Sequence, residues 1–377
     1  MIHSADRAET RLATRLSFLA AGFVMACWAP LVPFAKARVG VDDAQLGLLL
    51  LCLGIGSIIA MPLTGWLSAR FGSKPMILCG GVGAALMLPL LATTGSAWGL
   101  AATLLGFGAS LGTIDVAMNI HAVEVEQAGE RPMMSGFHAL FSIGGFAGSG
   151  GMTLLLSTGA APLTGALCAA AMTVAALGLA WPRLLVARGG KPIPLVAPRG
   201  VVLLLAGLAA ATFLVEGALL DWSALLIVGA QLASVAQGGV GYMVFSIAMT
   251  IGRLTGDRIV ARAGNANVLA GGGLLAVAGF ALLLTAPTAA VAMLGFLLIG
   301  FGASNIVPVL FSLTGRQTVM PAALAVAALT TTGYAGILAG PAVIGFVSEA
   351  IGLNSAFWLL AGLMALVPLF ARRATRA

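Results

Sequence analysis

The sequence predicts an all-α membrane protein in which twelve transmembrane helices form two pseudo-symmetric six-helix bundles. Only 8% of the residues are charged and 60% are hydrophobic, with a mean hydropathy of +1.07. Twelve apolar runs of ~17–25 residues, the length of a membrane-spanning helix, follow one another along the 377 residues. With the N-terminus in the cytoplasm, 17 of the 19 Lys and Arg fall on the cytoplasmic side, and only Lys36 and Arg38 fall outside. This positive-inside asymmetry indicates a multi-pass inner-membrane protein with both termini in the cytoplasm.

The composition also excludes several other classes of protein. Continuous apolar runs favour helices over barrel strands, which would alternate in polarity. The net charge of +7 follows from the positive cytoplasmic loops, so no nucleic-acid partner is expected. The four cysteines lie in apolar runs without metal-ligand spacing, and no phosphate-binding glycine loop is present. We therefore expect no metal site, no cofactor and no direct use of ATP.

The predicted spans divide the chain into bundles at 1–182 and 201–377, joined by a basic, proline-containing cytoplasmic linker at 183–200. In the first half the spans are Leu16–Phe34, Gln45–Leu67, Met76–Thr93, Trp98–Ile120, Met134–Leu156 and Pro162–Trp181. In the second half they are Val201–Asp221, Val235–Leu254, Val268–Ala286, Ala290–Ser312, Ala322–Val347 and Ala356–Phe370.

Short matches at equivalent spans indicate that the second half repeats the first. The matches pair Gly106–Ser110 with Gly300–Ser304 at a shift of 194, and Gly145–Gly148 with Gly333–Gly336 and Ala69-Arg70 with Asp257-Arg258 at a shift of 188. Parallel repeats of this kind are a transporter plan with the substrate site at the repeat interface near mid-membrane. Gly and Pro residues in spans one, four, five and eleven further suggest helices that bend.

The loop after span two carries Gly65, Arg70, Gly72 and Lys74 at the spacing G-x-x-x-D-R-x-G-R-K/R, with Ala69 in place of the acid. With the twelve spans and the central basic linker, this loop resembles that of the major facilitator superfamily over nearly the whole chain. The resemblance implies that these residues, and Asp257 and Arg258 after span eight, form a cytoplasmic gate. Ala69 leaves the latch of the first half without its acid, which Glu124, Glu126 or Glu130 after span four could replace; plain solvated loop charges are the equal alternative.

Two departures count against the drug/proton antiporters of that superfamily. Ala102 stands where they typically carry an Arg in span four, and span five has glycines but no proline of the G-x-x-x-G-P type. A similar pattern, Gly336 to Pro341, lies in span eleven instead. The segments Asp115–Asn119 and Arg131–Gly144 look like those of a small bacterial subgroup of compact, poorly characterised transporters.

Polar residues at membrane depth are the candidate site residues, because an ionisable group there costs ~2.5–3.5 kcal/mol at a helix centre and so usually faces a cavity or a partner. Asp115 and Asn119 share a face of span four, and His138 enters span five at similar depth. A carboxylate beside an imidazole can hold or relay a proton. A structural polar cluster that closes the cytoplasmic end is the alternative.

Glu216 lies ~22 Å up span seven and could bind a cation, take a proton or hydrogen-bond sugar hydroxyls. The alternative is a structural acid paired with a neighbouring helix. Asp221 is expected at the outer interface. Arg253 is expected just within the cytoplasmic end of span eight, snorkelling or capping the helix, and is not placed in the site.

Asn305 in span ten, Trp28 in span one and Tyr334 in span eleven complete the substrate-site prediction. An amide, an indole and a phenol around a cavity suit a polar neutral ligand such as a sugar or polyol. They equally suit interhelical hydrogen bonds, worth ~0.6 kcal/mol each.

The sequence therefore predicts a secondary transporter of a small polar organic solute, working as a monomer in the lipid bilayer by alternating access, with a proton as coupling ion. Uptake by symport is favoured over export of drugs or metabolites by antiport, because of Ala102 and the missing span-five motif. A non-transporting membrane sensor is the rival from another class, to which the altered latch at Ala69 points. No enzymatic activity is expected, since Asp115 and His138 have no accompanying nucleophile motif.

Overall fold

The computed structural model describes residues 7–41, 43–129, 131–186, 197–233 and 240–376, and these residues form helices without any β-strand. In the first half the helices are α1 (Ala8–Ala26), α2 (Val32–Val39), α3 (Asp43–Phe71), α4 (Ser73–Thr93), α5 (Ala97–Ala128), α6 (Met134–Ser157) and α7 (Pro162–Ala180). In the second half they are α8 (Val201–Gly229), α9 (Val240–Ala263), α10 (Asn265–Leu284), α11 (Ala289–Ala303), α12 (Ile306–Arg316), α13 (Ala322–Ile351) and α14 (Leu353–Thr375). The all-α fold predicted from the sequence is confirmed.

Twelve membrane spans account for these fourteen helices. Helices α1 and α2 form one interrupted span, as do α11 and α12, and eleven spans within the described residues are long and apolar enough to cross a bilayer. The twelfth, α9, has 24 residues but carries Arg253, Asp257 and Arg258 in its C-terminal half, which lowers its hydropathy.

Two spans are interrupted, and only one of them was expected to bend. In span one the chain leaves α1 at Cys27 and passes through a 3-10 turn, Ala29–Leu31, before α2 begins at Val32 with Pro33 in its first turn. In the second half the interruption lies in span ten, where Asn305 occupies the N-cap position of α12 without a side-chain capping bond. Spans four, five and eleven, α5, α6 and α13, each run as one continuous helix, and several of their glycines lie at close helix contacts.

The described residues group into two compact units by their contacts. The first contains the described parts of 1–130 and 137–197 together with 320–331, and the second contains 131–136, 198–319 and the remainder from 332. The first turn of α6 thus belongs to the second unit, and the first turns of α13 belong to the first unit. The predicted division at a linker of residues 183–200 stays a prediction, and most of that linker lies outside the described residues.

The internal repeat has a register of 192 residues, not 194 or 188. A Cβ on Gly108 would fall on the carbonyl of Leu53 in α3, and a Cβ on Gly300 would fall on the carbonyl of Phe245 in α9. Gly300 follows Gly108 by 192 positions, and Phe245 follows Leu53 by the same number. The matches read from the letters alone were out of register by two or four residues, because Gly and Ala recur so often that neighbouring registers also match.

The loop motif follows the same register. Gly72 after α3 and Gly264 after α9 both end their helices at positive φ, 86° and 79°, a region that favours glycine. The counterpart of Arg70 is therefore Arg262 rather than Arg258. Asp257 corresponds in position to Gly65, which gives the second half an acid where the first half has a glycine.

One of the two outward charges has a local explanation. Arg38 donates from Nε to the carbonyl of Thr94 at 2.9 Å and from Nη2 to that of Leu91 at 2.6 Å. These are among the last carbonyls of α4, which have no intrahelical partner, and a cation is favourable at a helix C-terminus. Arg38 therefore caps α4, which explains why a basic residue occupies a position predicted to lie outside the cytoplasm.

Candidate functional site

A buried ion pair joins α8 to α9 in the second unit. Arg253 Nη2 lies 3.8 Å from Glu216 Oε2, and the two side chains are 11% and 19% exposed. Arg253 also donates from Nε to the carbonyl of Ser304 at 3.4 Å. The sequence prediction for Arg253 was therefore wrong: this residue belongs with the candidate site residue Glu216.

The depth of Arg253 explains the error. Helix α9 continues to Ala263, nine residues beyond the predicted end of the span. Arg253 consequently lies ~15 Å before that end at a rise of 1.5 Å per residue, and its guanidinium faces Glu216 of α8 instead of solvent. Glu216 lies ~22 Å from the start of α8, so both charges are near the middle of their helices.

Asn305 and Arg253 tie α9 to the junction of α11 and α12. Asn305 Nδ2 donates to the carbonyl of Gly252 at 3.0 Å and to Ser304 Oγ at 3.0 Å. Arg253 in turn donates to the carbonyl of Ser304, the residue before Asn305. Two hydrogen bonds therefore join this part of α9 to the helix junction. A Cβ on Gly256 would overlap Asn305 Oδ1, so only glycine fits there. The predicted site residue Asn305 thus positions the helix break beside the ion pair.

Two acceptor oxygens of this cluster are buried without a hydrogen-bond partner among the described residues: Glu216 Oε1 and Asn305 Oδ1. A buried polar atom left unsatisfied typically costs ~1–3 kcal/mol. Such atoms are uncommon in folded proteins, and a functional role is one of the accepted explanations. The cluster therefore contains a cation, an incompletely satisfied carboxylate and a second unused acceptor.

The chain has two tyrosines, of which Tyr242 lies near the pair and Tyr334 packs against α8. Tyr242, on α9, hydrogen-bonds the Ser246 side chain and lies within electrostatic range of Glu216, Arg253 and Asp221. Its scarcity and its place three helical turns before Arg253 are signals that the sequence analysis did not use. Tyr334, which was predicted, lies edge-on to Phe213 of α8 with 6.5 Å between ring centroids.

The candidates of the first unit form a separate set. Asn119 Nδ2 donates to the carbonyl of Asp115 at 2.9 Å and to its Oδ1 at 3.3 Å, which confirms the shared helix face. The buried ring of His138 lies edge-on to Phe18 with 5.2 Å between centroids. The proton relay between Asp115 and His138 stays a prediction.

Trp28 is not placed with polar groups. Its side chain is buried in an apolar cluster of the first unit that includes Val24, Leu31, Leu88 and Phe107. In that setting the indole packs the interrupted span against α4 and α5. The structure therefore favours the packing interpretation of Trp28 over the ligand-binding one.

The predicted gate residues of the first half pack at the ends of α3 and α4. Gly65 lies against the carbonyl of Ala323 and the side chain of Ala327, in the first turns of α13, within the same unit. The Arg70 guanidinium lies 5.1 Å from the ring of Phe71, and Lys74 Nζ lies 4.2 Å from the ring of Trp181. These are cation–π contacts that hold both basic side chains in place.

The acid missing at Ala69 has a partial substitute. Ser73, the first residue of α4, donates to Glu124 Oε2 at 3.4 Å, so this carboxylate lies beside the N-terminus of α4, where negative charge is stabilising. Glu124 and Glu126 belong to α5, which extends to Ala128, and not to a loop as predicted. Glu130 lies outside the described residues.

Asp257 is the predicted gate residue with the most specific contact. Its Oδ2 accepts from the backbone N–H of Gly136 at 3.0 Å, in the first turn of α6 and within the second unit. A carboxylate that accepts one of the first N–H groups of a helix both caps it and complements its dipole. Arg258, the next residue, is exposed.

His121 is a polar residue that the sequence analysis did not single out. Its Nε2 accepts the backbone N–H of Leu185 at 3.0 Å, and its Nδ1 lies 3.1 Å from Thr14 Oγ1. Thr14 Oγ1 also bonds the carbonyl of Thr10 at 2.9 Å. Since Nε2 accepts, the ring proton is assigned to Nδ1, and the fully buried imidazole is neutral and saturated. His121 therefore ties α1 and α5 to the chain after α7.

Among the described residues no group of three His, Cys, Asp or Glu side chains could hold a metal ion. Two repeated six-span halves, with an ion pair buried at mid-helix, define the architecture of a secondary membrane transporter.

The chain belongs to the Major Facilitator Superfamily and is a multi-pass membrane transporter of that family. The family profile matches residues 16–318. An uncharacterised transporter of this type from Yersinia pestis is 52% identical over 369 residues, which cover 97% of this chain and 96% of that protein. Among solved structures, FucP, an E. coli fucose:proton symporter, superposes with a TM-score of 0.81 at 19% identity, covering 99% of this chain and 100% of FucP. The human organic anion transporter MFSD10 gives 0.74 at 22% identity, covering 97% and 99%.

Proposed function

We propose that this chain takes up a small polar organic solute across the bacterial inner membrane by alternating access, in symport with protons. The observation that carries the proposal is the ion pair between Glu216 and Arg253, buried near mid-helix with one carboxylate oxygen unpartnered. A protein that had only to fold in lipid would gain nothing from two buried charges. Intramembrane charges of this kind mark substrate and proton pathways.

Proton coupling follows from the chemistry of the pair. Glu216 is stable as a carboxylate while Arg253 faces it and is better protonated when Arg253 is engaged elsewhere. Asp115 and His138 in the first unit are a second candidate for proton transfer. The termini are proposed to be cytoplasmic, as the distribution of Lys and Arg predicts, and a monomer is proposed by family resemblance.

The substrates named for similar structures do not choose the substrate of this one. One neighbour transports fucose and another is an organic anion transporter, and both share less than a quarter of their residues with this chain. The second candidate function is export by proton antiport. The strongly apolar helices of this chain favour it, and Ala102, which stands where drug/proton antiporters typically carry an Arg, opposes it.

The test is solute-driven proton movement in liposomes that contain the purified chain and enclose the pH dye pyranine. D-Glucitol, D-gluconate, L-fucose, L-alanine and ethidium are added outside at equal pH on both sides. Acidification of the lumen by a polar solute, absent from protein-free liposomes, supports symport. Alkalinisation, above all by ethidium, overturns symport in favour of antiport. Thermal stabilisation by a solute that moves no proton overturns transport in favour of a sensor.

The same assay separates the two proton candidates. If Glu216 carries the proton, Glu216→Gln abolishes the acidification while Asp115→Asn and His138→Ala retain it. The reverse pattern assigns coupling to the first unit. Retention of coupling in all three variants overturns proton coupling through these groups.

A further inference from the structure

We infer that the solute carries a single carboxylate, which replaces Glu216 as the partner of Arg253, so that Glu216 takes up a proton when the solute binds. This inference rests on the proposed function and names its substrate class. The pair as found is loose. Arg253 Nη2 and Glu216 Oε2 are 3.8 Å apart, whereas a charge-assisted N–H to carboxylate hydrogen bond is ~2.7–2.9 Å. Glu216 holds Arg253 electrostatically without a close hydrogen bond between these two atoms.

A free carboxylate can approach the guanidinium more closely than Glu216 does. The planar donor fork of Arg matches a carboxylate in bidentate geometry, which is why Arg recurs at sites that bind this group. Glu216 is constrained by α8, and its Oε1 remains buried without a partner among the described residues. A soluble acid has no such constraint, so it can displace Glu216 from Arg253.

Charge balance then forces proton uptake. Before binding, one cation and one carboxylate give a neutral site. After binding, the solute carboxylate balances Arg253, and Glu216 is a buried carboxylate without a counter-charge, which a proton from the same aqueous side neutralises. The loaded site, with protonated Glu216, Arg253 cation and solute anion, is again neutral. One monoanion and one proton therefore cross together without net charge, whereas a dianion would leave the site charged.

The titratable groups that the described residues place near the pair are a phenol and a second carboxylate. On α9, Tyr242 faces Glu216, and on α8 itself Asp221 lies in the same field. The helices packed against α8 are α9, α11, α12, α13 and α14. On α11 to α14 the remaining charged groups lie in the last turns of their helices: Arg316, Glu349, Arg372 and Arg373. Tyr334 lies mid-helix on α13 against Phe213 of α8.

The experiment compares solutes that differ only in the carboxylate: D-gluconate with D-glucitol, D-glycerate with glycerol, and L-lactate with 1,2-propanediol. In pyranine liposomes we expect a carboxylate, and not its alcohol, to acidify the lumen, without a signal from a membrane-potential dye. Arg253→Lys and Arg253→Gln should abolish the effect, and Arg372→Gln, an exposed arginine on α14, should retain it. Acidification by alcohols but not by acids overturns this inference and leaves proton symport standing. No acidification by any solute overturns both.

The variant Glu216→Gln distinguishes exchange from a merely structural pair. It removes the competitor for Arg253, so the acid should bind at least as tightly as to the native chain, and labelled acid should exchange across the membrane while proton-coupled uptake is lost. In the native chain affinity should rise about tenfold per unit fall in pH, because one proton is bound with each acid, and in Glu216→Gln it should not change. Loss of acid binding in Glu216→Gln contradicts the inference.

A second variant covers the case in which Glu216→Gln fails to fold. The double variant Glu216→Gln with Arg253→Gln contains no buried charge and is expected to fold. It should bind none of the three acids, as measured by thermal shift. Acid binding by this double variant places the carboxylate elsewhere and overturns the inference.

Discussion

Arg253 of α9 and Glu216 of α8 face each other at 3.8 Å near the middle of two antiparallel helices, and both side chains are nearly removed from solvent. Each charge makes the other tolerable, because an isolated ion in a low-dielectric interior carries a penalty of several kcal/mol. Asn305 and Ser304 then fix Arg253 against the break in span ten. The polar chemistry of the second unit is organised around this one contact.

Removal of one charge should destabilise the protein more than removal of both. Glu216→Gln or Arg253→Met leaves an uncompensated buried charge, which typically costs ~3–5 kcal/mol. The double variant Glu216→Gln with Arg253→Met leaves no buried charge at this position. In detergent we expect the thermal midpoints of both single variants to lie below that of the double variant. Additive losses would mean that the pair is hydrated and uncoupled.

The fold was predictable from the sequence because membrane insertion leaves strong signals. Apolar run lengths predicted twelve spans. The orientation predicted from the alternation of Lys and Arg stays a prediction. The site was only partly predictable. Glu216 and Asn305 stand out as polar residues within apolar runs. Arg253, the partner of Glu216, was missed because hydropathy places the end of a span at the first charged residues. The predicted span ended at Leu254, one residue after Arg253, while α9 itself continues for nine more residues.

The repeat register was missed for a related physical reason. What the two halves share is which residue faces the neighbouring helix, and at these contacts the letters are often different. A Cβ on Gly22 would overlap the backbone carbonyl of Phe141 in the first half, whereas Gly333, the counterpart of Phe141, lies against the ring of Phe213 in the second. An aromatic residue in one half is a glycine in the other, so the helix contact persists while the sequence match is lost.

Two adjacent glycines of α6 should respond oppositely to alanine. A Cβ on Gly144 would strike the carbonyl of Leu19 and the nitrogen of Phe23 in α1, whereas a Cβ on Gly145 meets nothing within 4 Å. Gly144→Ala must separate two backbones, and overpacking of this kind costs ~1–3 kcal/mol. Gly145→Ala should be neutral or gain up to ~1 kcal/mol of helix propensity. Thermal midpoints measure both, and equal effects would show that α1 and α6 are not in close contact.

His121 should protect the backbone after α7. His121→Ala removes the acceptor of the Leu185 N–H and leaves that group unsatisfied, at ~1–3 kcal/mol. Hydrogen exchange of a peptide containing residues 184–186 should accelerate. Thr14→Val removes the partner on the other ring nitrogen and keeps the bond to Leu185, so the same peptide should stay protected. Protection that survives in His121→Ala would assign this hydrogen bond no role in holding the segment.

Asp257 should control the first turn of α6. Its carboxylate accepts the N–H of Gly136, so Asp257→Ala removes both a cap and a favourable charge, together worth ~0.5–2 kcal/mol. We expect faster hydrogen exchange at residues 134–137 and a smaller effect in Asp257→Asn, which keeps an acceptor oxygen without the charge. Thr255→Val, an exposed position on the same helix as Asp257, serves as the control and should leave that exchange unchanged.

If the turn is part of a cytoplasmic gate, Asp257→Ala should also shift the rate of solute-driven acidification without changing its dependence on Glu216. Unchanged exchange in Asp257→Ala would contradict the cap, and changed exchange with unchanged transport would confine Asp257 to a structural role.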